Sequence, residues 1–548
     1  QNKLDEAEKN ILKALQLNPR FELAFINLGA IYLDQKKIDN ALKYTQKALK
    51  INPNSSKALV NLANINAFQS NLKSAEIFLK KSLAIDKNDE NTYYNLASIL
   101  FKQERYEEAK KNIKKALDIR SDLEKIYLLY TGILSNLNDN KEAEIICEKG
   151  LIALPGSIGL LFNLAHTKYE KKEFQEALEL INKVIKKKKD HARAYLLKGT
   201  ILKNLGKLEE SILSTRKSIE INSEFAEGHH NLSTSIRETN NLEEAEFHAR
   251  KAIELNKKCD ESYLSLASIL RLQMRIKEGI FALRESIDLN PNNPASHYNL
   301  SHLLLKSKEF KEGWKEYEWR WKRNKIENPF QDKYQNNTKQ WEPKYRGKVL
   351  LWAEQGIGDE ITFGSLIPDL YKKVEKLIVH MDKRLIPLFK RSLNKNIDFR
   401  DKDEVINAKE YDYQIAMGSV PQYLRQDIES FKSYNKDLLK CDRSKSKSFR
   451  ELIKAKDSEK IIGISWRSSS KSMNNKSYSI EEFITNINAP NLKFVNLQYG
   501  DVKEEIDLIK SKYNIEIQEI DTIDKFNNID DLAALIDSCD SIVSIENI

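Results

Sequence analysis

Residues 349–370 read VLLWAEQGIGDEITFGSLIPDL. Gly356, Gly358 and Asp359 are the residues whose types and spacing could do chemistry. Glycines let a ligand approach the backbone closely. A helix starting at such a turn presents about +0.5 charge and free N–H groups. A carboxylate there can take the proton of an attacking hydroxyl; equally, Asp359 can be a helix N-cap. The stretch lacks the GxxxxGK[ST] of a P-loop, and Ile361 stands where a dinucleotide fingerprint has its third Gly. Arg467, Lys471 and Lys476 follow the apolar run IIGISW and could meet a negatively charged ligand; the alternative is a solvated basic loop. No metal site is expected. Asp401-Lys402-Asp403 only outlines one, the eight His form no HExxH, and Cys147, Cys259, Cys441 and Cys539 fall in no CxxC.

These residues need strands and helices to hold them. KVLLWA, KLIVHM, IDFRD and YDYQIAM read as strands, with helical stretches DEITFGSLIPDLYKK and RLIPLFKRSL between them. After a charged stretch, a second alternation follows: KIIGISW, KFVNLQY and SIVSIEN with the helix DDLAALIDSC. Strands alternating with helices imply parallel, doubly wound sheets. Two such halves suggest a GT-B arrangement of paired Rossmann-like domains.

Upstream, a 34-residue period runs without a slip, marked by Pro19, Pro53, Pro155 and Pro291. Small residues keep the register at Ala7, Ala41, Ala75, Ala109, Ala143, Ala177, Ser211, Ala245, Gly279 and Gly313. One helical hairpin cannot bury its own apolar face, so the units must stack. The residue before the first-helix Leu is Asn in six units: Asn27, Asn61, Asn95, Asn163, Asn231 and Asn299. Aligned along an inner face, these amides could pair with a peptide backbone; they could also be repeat consensus.

The expected class is therefore α + α/β: residues 1–313 a helical solenoid of about nine repeats plus a leading half, 314–346 a capping helix and linker, 347–440 the first α/β half, 441–458 a linker, and 459–548 the second half. All six Trp lie beyond 313. Trp314, Tyr317 and Trp321 share one face of an extended last helix, a packing stripe. The chain begins inside a repeat and its second half stops at Ile548. The expectation is of a piece with an incomplete donor site that binds nucleotide sugar weakly.

The net charge of +9 is spread over 90 basic and 81 acidic residues. The densest basic run, residues 186–189, lacks the interleaved aromatics of a nucleic-acid patch, so no nucleic-acid partner is expected. No run of about 18 apolar residues suits a transmembrane helix. Sparse cysteine suits a reducing, cytoplasmic setting.

The repeats resemble the tetratricopeptide repeat: FINLGAIYLDQKKIDNALKYTQKALKINP carries its Gly29, Tyr32, Ala41, Ala48 and Pro53 positions. Their Asn row is similar to that of O-GlcNAc transferases. LLWAEQGIGDEITF and GISWRSSSKSMNNKSYSI resemble bacterial repeat-bearing glycosyltransferases related to the family 9 heptosyltransferases. The resemblance implies metal-independent sugar transfer from a nucleotide sugar to a hydroxyl, with no cofactor. Asp359 would be the base, and Gly356, Gly358, Arg467, Lys471 and Lys476 would lie toward donor phosphates. The repeats would recruit a protein. Two alternatives are an interaction scaffold with a degenerate transferase part and a lipopolysaccharide or surface-polysaccharide transferase.

Overall fold

The computed structural model describes residues 2–323, 339–432, 438–456, 458–467 and 479–545. They form two compact units, Gln1–Ser265 and Leu266–Ile548.

The 34-residue period becomes helices. First helices of 13 residues start at Glu22, Ser56, Glu90, Glu124, Ile158, Ala192, Ala226, Asp260 and Pro294. Second helices of 14 residues start at Ile38, Leu72, Tyr106, Asn140, Phe174, Leu208, Leu242 and Ile276. The small residue of each second helix is at the close contact: Ala41, Ala75, Ala109 and Ala177 are fully buried. Leu79, Leu100, Ile113, Ile126 and Tyr130 then form one core across successive helix pairs, so each unit buries the face its neighbour exposes.

Each first helix ends the same way. Lys36, Ser70, Glu104, Asn138, Lys172, Gly206, Asn240, Met274 and Lys308 all have φ between 55° and 77°. At the first of these, the Lys37 N–H donates to the Tyr32 carbonyl and the Lys36 N–H to that of Leu33. This Schellman closure needs a left-handed residue, yet only one of the nine is glycine.

The second unit holds two parallel sheets. The first has β1 (Lys339–Gln340), β2 (Lys348–Trp352), β3 (Lys376–Met381), β4 (Asp398–Asp401) and β5 (Tyr413–Ala416), in the order β1-β5-β2-β3-β4. The second has β6 (Lys460–Ser465), β7 (Leu492–Asn496), β8 (Ile517–Gln518) and β9 (Ser541–Ser544), in the order β8-β7-β6-β9. Every pairing is parallel. Counted from its first long strand, each sheet runs 3-2-1-4. The order reverses between β2 and β5, and again between β6 and β9. In open α/β sheets ligands bind at the carboxyl ends of strands beside such reversals.

β2 is buried on both faces, as a central parallel strand must be. Val349 and Leu351 pack with Phe389 and Ile415; Leu350 and Trp352 pack with Ile378 and Trp321.

Two stretches differ from expectation. The 441–458 stretch contains a helix, Arg443–Ile453, capped by Asp442. Its charged residues hide an apolar pair, Phe449 and Ile453, which packs with Ala534 and Leu535. The extended Trp-bearing helix is broken into Phe310–Tyr317 and Arg320–Arg323. Glu318 and Arg320 bond to Ser419, in the short turn Met417–Ser419 that follows β5, rather than to solvent, and the chain turns to meet it. Among the described residues no helix is long and apolar enough to cross a membrane.

Candidate functional site

The Gly-Asp turn lies at the carboxyl end of β2, beside the β2/β5 reversal. Gly356 caps the helix Ile357–Gly364 with extended backbone and no side-chain cap bond. A Cβ built on Gly356 would meet nothing within 4 Å, so the turn is open to a ligand. Asp359 is not the N-cap residue; it is the third residue of the helix, and its carboxylate faces back to the Gly356 N–H.

Asp359 is exposed. Desolvation by the surrounding wall still raises its carboxyl above the ordinary value, against the Gly356 N–H. The wall includes Gln355 and Tyr317. With its carboxamide oriented to satisfy both neighbours, Gln355 accepts from the Tyr317 hydroxyl at 2.8 Å and donates to Asp359 Oδ2 at 3.1 Å. Burial pushes the Tyr317 phenol up, so this hydroxyl stays a donor.

Two buried charge clusters hold the turn. Glu354 is paired with Arg320 at 3.0 Å and accepts the Gly418 N–H at 3.0 Å. Arg320 also bonds Glu318 and Ser419 at 2.6 Å and lies over the Tyr317 and Trp321 rings. Burial raises the Glu354 carboxyl, opposed by Arg320. On the other side, Glu360 accepts the Asp382 N–H at 2.8 Å and pairs with Lys402 at 3.1 Å. Arg384 holds the Asp382 carboxyl well below the usual range. Lys402, the middle of the Asp-Lys-Asp triplet, is thus a structural cation. A cavity of about 810 Å³ opens beside the same helix between Trp314, Phe363, Phe431 and Leu439.

Arg467 stands on the second sheet, after β6. Its guanidinium donates to Glu505 at 2.5 Å and to the Asp501 carbonyl at 2.7 Å. Lys471 and Lys476 lie outside the described residues. The two sheets are joined by Arg391, bidentate to Asp530 at 2.6 and 2.8 Å.

The asparagine row is partly engaged in stacking. Asn61 donates to the Ile26 carbonyl at 2.8 Å, Asn163 to Thr131 at 2.7 Å and Asn231 to Thr200 at 3.3 Å. Each bond ties one first helix to the preceding one. Asn27 is exposed, and Asn95 and Asn299 are half-buried.

Sequence reasoning missed Glu354, Gln355, Arg320 and Ser419 as supports of the turn. Glu354 and Gln355 directly precede Gly356, and polar residues at the end of an apolar strand are a local signal. Nothing local links Arg320 to Ser419, 99 residues later.

Comparison with known proteins agrees with the helical register. Tetratricopeptide repeat models match residues 23–55, 91–123 and 192–225. The model for anaphase-promoting complex, cyclosome, subunit 3 matches 238–319. Protein FlbA of Caulobacter vibrioides is 27% identical over 256 residues, covering 43% of this chain; the match spans 42% of FlbA. Similar solved structures include YrrB, a TPR protein with an unusual peptide-binding site (22% identity, 34% of this chain and 96% of that one, TM-score 0.30). Others are Pseudomonas aeruginosa pilF (21%, 41% and 96%, 0.34) and the APC/C Cut9–Hcn1 hetero-tetramer (16%, 59% and 71%, 0.39). The chain carries a solenoid of tetratricopeptide repeats, an architecture of protein–protein interaction, followed by two small parallel α/β sheets.

Proposed function

We propose that the α/β part is a GT-B-type glycosyltransferase and that the repeats bring it a protein acceptor. Residues 347–440 would form the acceptor half and 459–548 the donor half. The observation that carries the reading is Asp359: an exposed carboxylate, oriented by Gln355, at a strand-order reversal, on a turn open to a ligand. Asp359 would take the proton of an acceptor hydroxyl. The hydroxyl oxygen attacks the anomeric carbon, the bond to the diphosphate oxygen breaks, and the nucleotide leaves with the electron pair. Gly356, Gly358, Arg467, Lys471 and Lys476 remain the proposed donor-side residues, with no metal in the step.

The test incubates the full-length protein and its Asp359→Asn variant with a panel of UDP-, GDP- and ADP-sugars and co-expressed proteins, read by intact mass. Transfer by the parent and a loss of roughly 10²–10⁴-fold in the variant is expected for a general base. Equal activity of the two proteins would sink the assignment. The engagement of Arg467 by Glu505 favours a second reading, a scaffold whose transferase part is degenerate; absence of nucleotide-sugar turnover would support it.

A further inference from the structure

The last two first helices and the short helix after them enclose a cavity of about 590 Å³. Its wall includes Arg271, Lys306, Arg323, Asn299, Tyr298 and His302. Three are permanent cations, and among the described residues no carboxylate is paired with any of them. Lys306 Nζ reaches the Met274 sulfur at 3.2 Å, and the Arg323 guanidinium lies over the Tyr298 ring at 5.0 Å.

The repeat register shows what is unusual here. Arg271 and Lys306 stand two repeats after Lys203 and Glu238, at the same two helical positions. Lys203 and Glu238 form an ion pair at 2.9 Å. Where that pair is opposite in charge, this one is like in charge, an arrangement that costs stability unless an anion lies between. Desolvation, together with Arg271 and Arg323, holds the His302 imidazole below its ordinary value, so the cavity is already positive with His302 neutral.

The cavity borders the candidate site. Tyr298 is in ring contact with His302 at 4.5 Å and with Tyr317 at 5.8 Å. Tyr317 is hydrogen-bonded to Gln355, the partner of Asp359, and Tyr298 feels the charges of both Arg323 and Asp359. Asn299, the last member of the asparagine row, lies in the cavity wall.

We infer that this cavity receives an acidic side chain of the protein segment whose hydroxyl is presented to Asp359; the acceptor sequence would carry Asp or Glu near the modified residue. This rests on the proposed transferase reading. Three cations with no carboxylate partner among the described residues match a carboxylate, and the Asn299 amide beside them in the wall can pair with the peptide backbone that carries it.

The test is fluorescence anisotropy of the whole chain with a fluorescein-labelled peptide of alternating Asp and Ser, and with its Asn–Ser counterpart. The Asp–Ser peptide should bind and the Asn–Ser peptide should not. Arg271→Gln/Lys306→Gln should weaken binding by about tenfold or more, as for truncation of convergent charges. Lys187→Gln/Lys189→Gln, which removes the same charge from an exposed helix end and turn, should stay within about twofold, since distant surface charges are screened. Arg323→Gln alone provides a second variant if the double one melts early. Equal binding of both peptides, unaffected Arg271 and Lys306 variants, or a cavity that takes UDP and neither peptide overturns the inference. The assay reads binding and not transfer. An inactive transferase leaves its outcome untouched, and a charge-blind result leaves the transferase reading standing.

Discussion

Asn61 and Asn95 occupy the same repeat position, yet their surroundings give them different work. The Asn61 amide is buried and satisfies the Ile26 carbonyl, whereas Asn95 is half-exposed. Asn61→Ala should cost about 0.5–1.5 kcal/mol, the net worth of one hydrogen bond, since the Ile26 carbonyl keeps its place in the helix Glu22–Asp34. Asn95→Ala should leave melting unchanged and weaken partner binding; thermal melts with a pull-down separate the roles. A buried histidine pair gives a second residue-scale prediction. His229 Nε2 donates to the Ser223 carbonyl, so His248 Nδ1–H must donate to His229 Nδ1 at 2.9 Å. Burial and the neighbouring His229 bring the His248 imidazole down to about 4. A depressed histidine stabilises the fold above its unfolded value of about 6.5, and that stability is lost as pH falls toward 4. The loss should reach about 3 kcal/mol at most. Melting between pH 7 and 4 should show it, and His248→Gln should flatten the slope.

At the scale of the helical hairpin, nine inter-helix turns use a left-handed residue; one is Gly, two are Asn, which tolerates it, and six carry a side chain that disfavours it. A left-handed non-glycine costs about 1–2 kcal/mol. Glu104→Gly and Met274→Gly should each raise the melting temperature, by an amount worth up to about 1 kcal/mol after the entropy of an added glycine is subtracted. Gly206→Ala should lower it, although its Cβ would meet nothing within 4 Å. A fall in stability for both glycine variants would mean that the surrounding contacts, not the dihedral, decide these turns.

Across the second unit, Arg320 joins the end of the repeats to the first sheet through Glu318, Glu354 and Ser419. Both members of the Arg320–Glu354 pair are buried, with side chains 7% and 2% exposed. Arg320→Leu strands the Glu354 carboxylate and should cost about 3–5 kcal/mol. Arg320→Leu/Glu354→Gln should recover part of that, because a neutral amide costs less to bury than an unpaired charge. Calorimetric melts of the three proteins measure it. Equal losses for the single and double variants would show that Arg320 acts by packing over Tyr317 and Trp321 rather than by charge.

Local repetition and alternation made much of the fold legible in the amino-acid sequence. A 34-residue spacing of small residues is a contact rule between neighbours, so it survives without knowledge of anything distant; every first helix begins where that register puts it. The long strands β2, β3, β6 and β7 were legible because burial on both faces demands continuous apolar runs. Asp359 was legible as a candidate because a strand, a glycine turn and a helix are consecutive in the chain. The helix Arg443–Ile453 was obscured because two apolar residues sufficed once helix Ile529–Asp537 covered them. Only the tertiary structure decided which asparagines are bound in stacking, that Arg467 faces Glu505, and that Arg320 and Ser419 brace the turn before Asp359. Those outcomes depend on side chains from 31 to 99 residues apart meeting in space, and no local pattern in the chain encodes which partner arrives there.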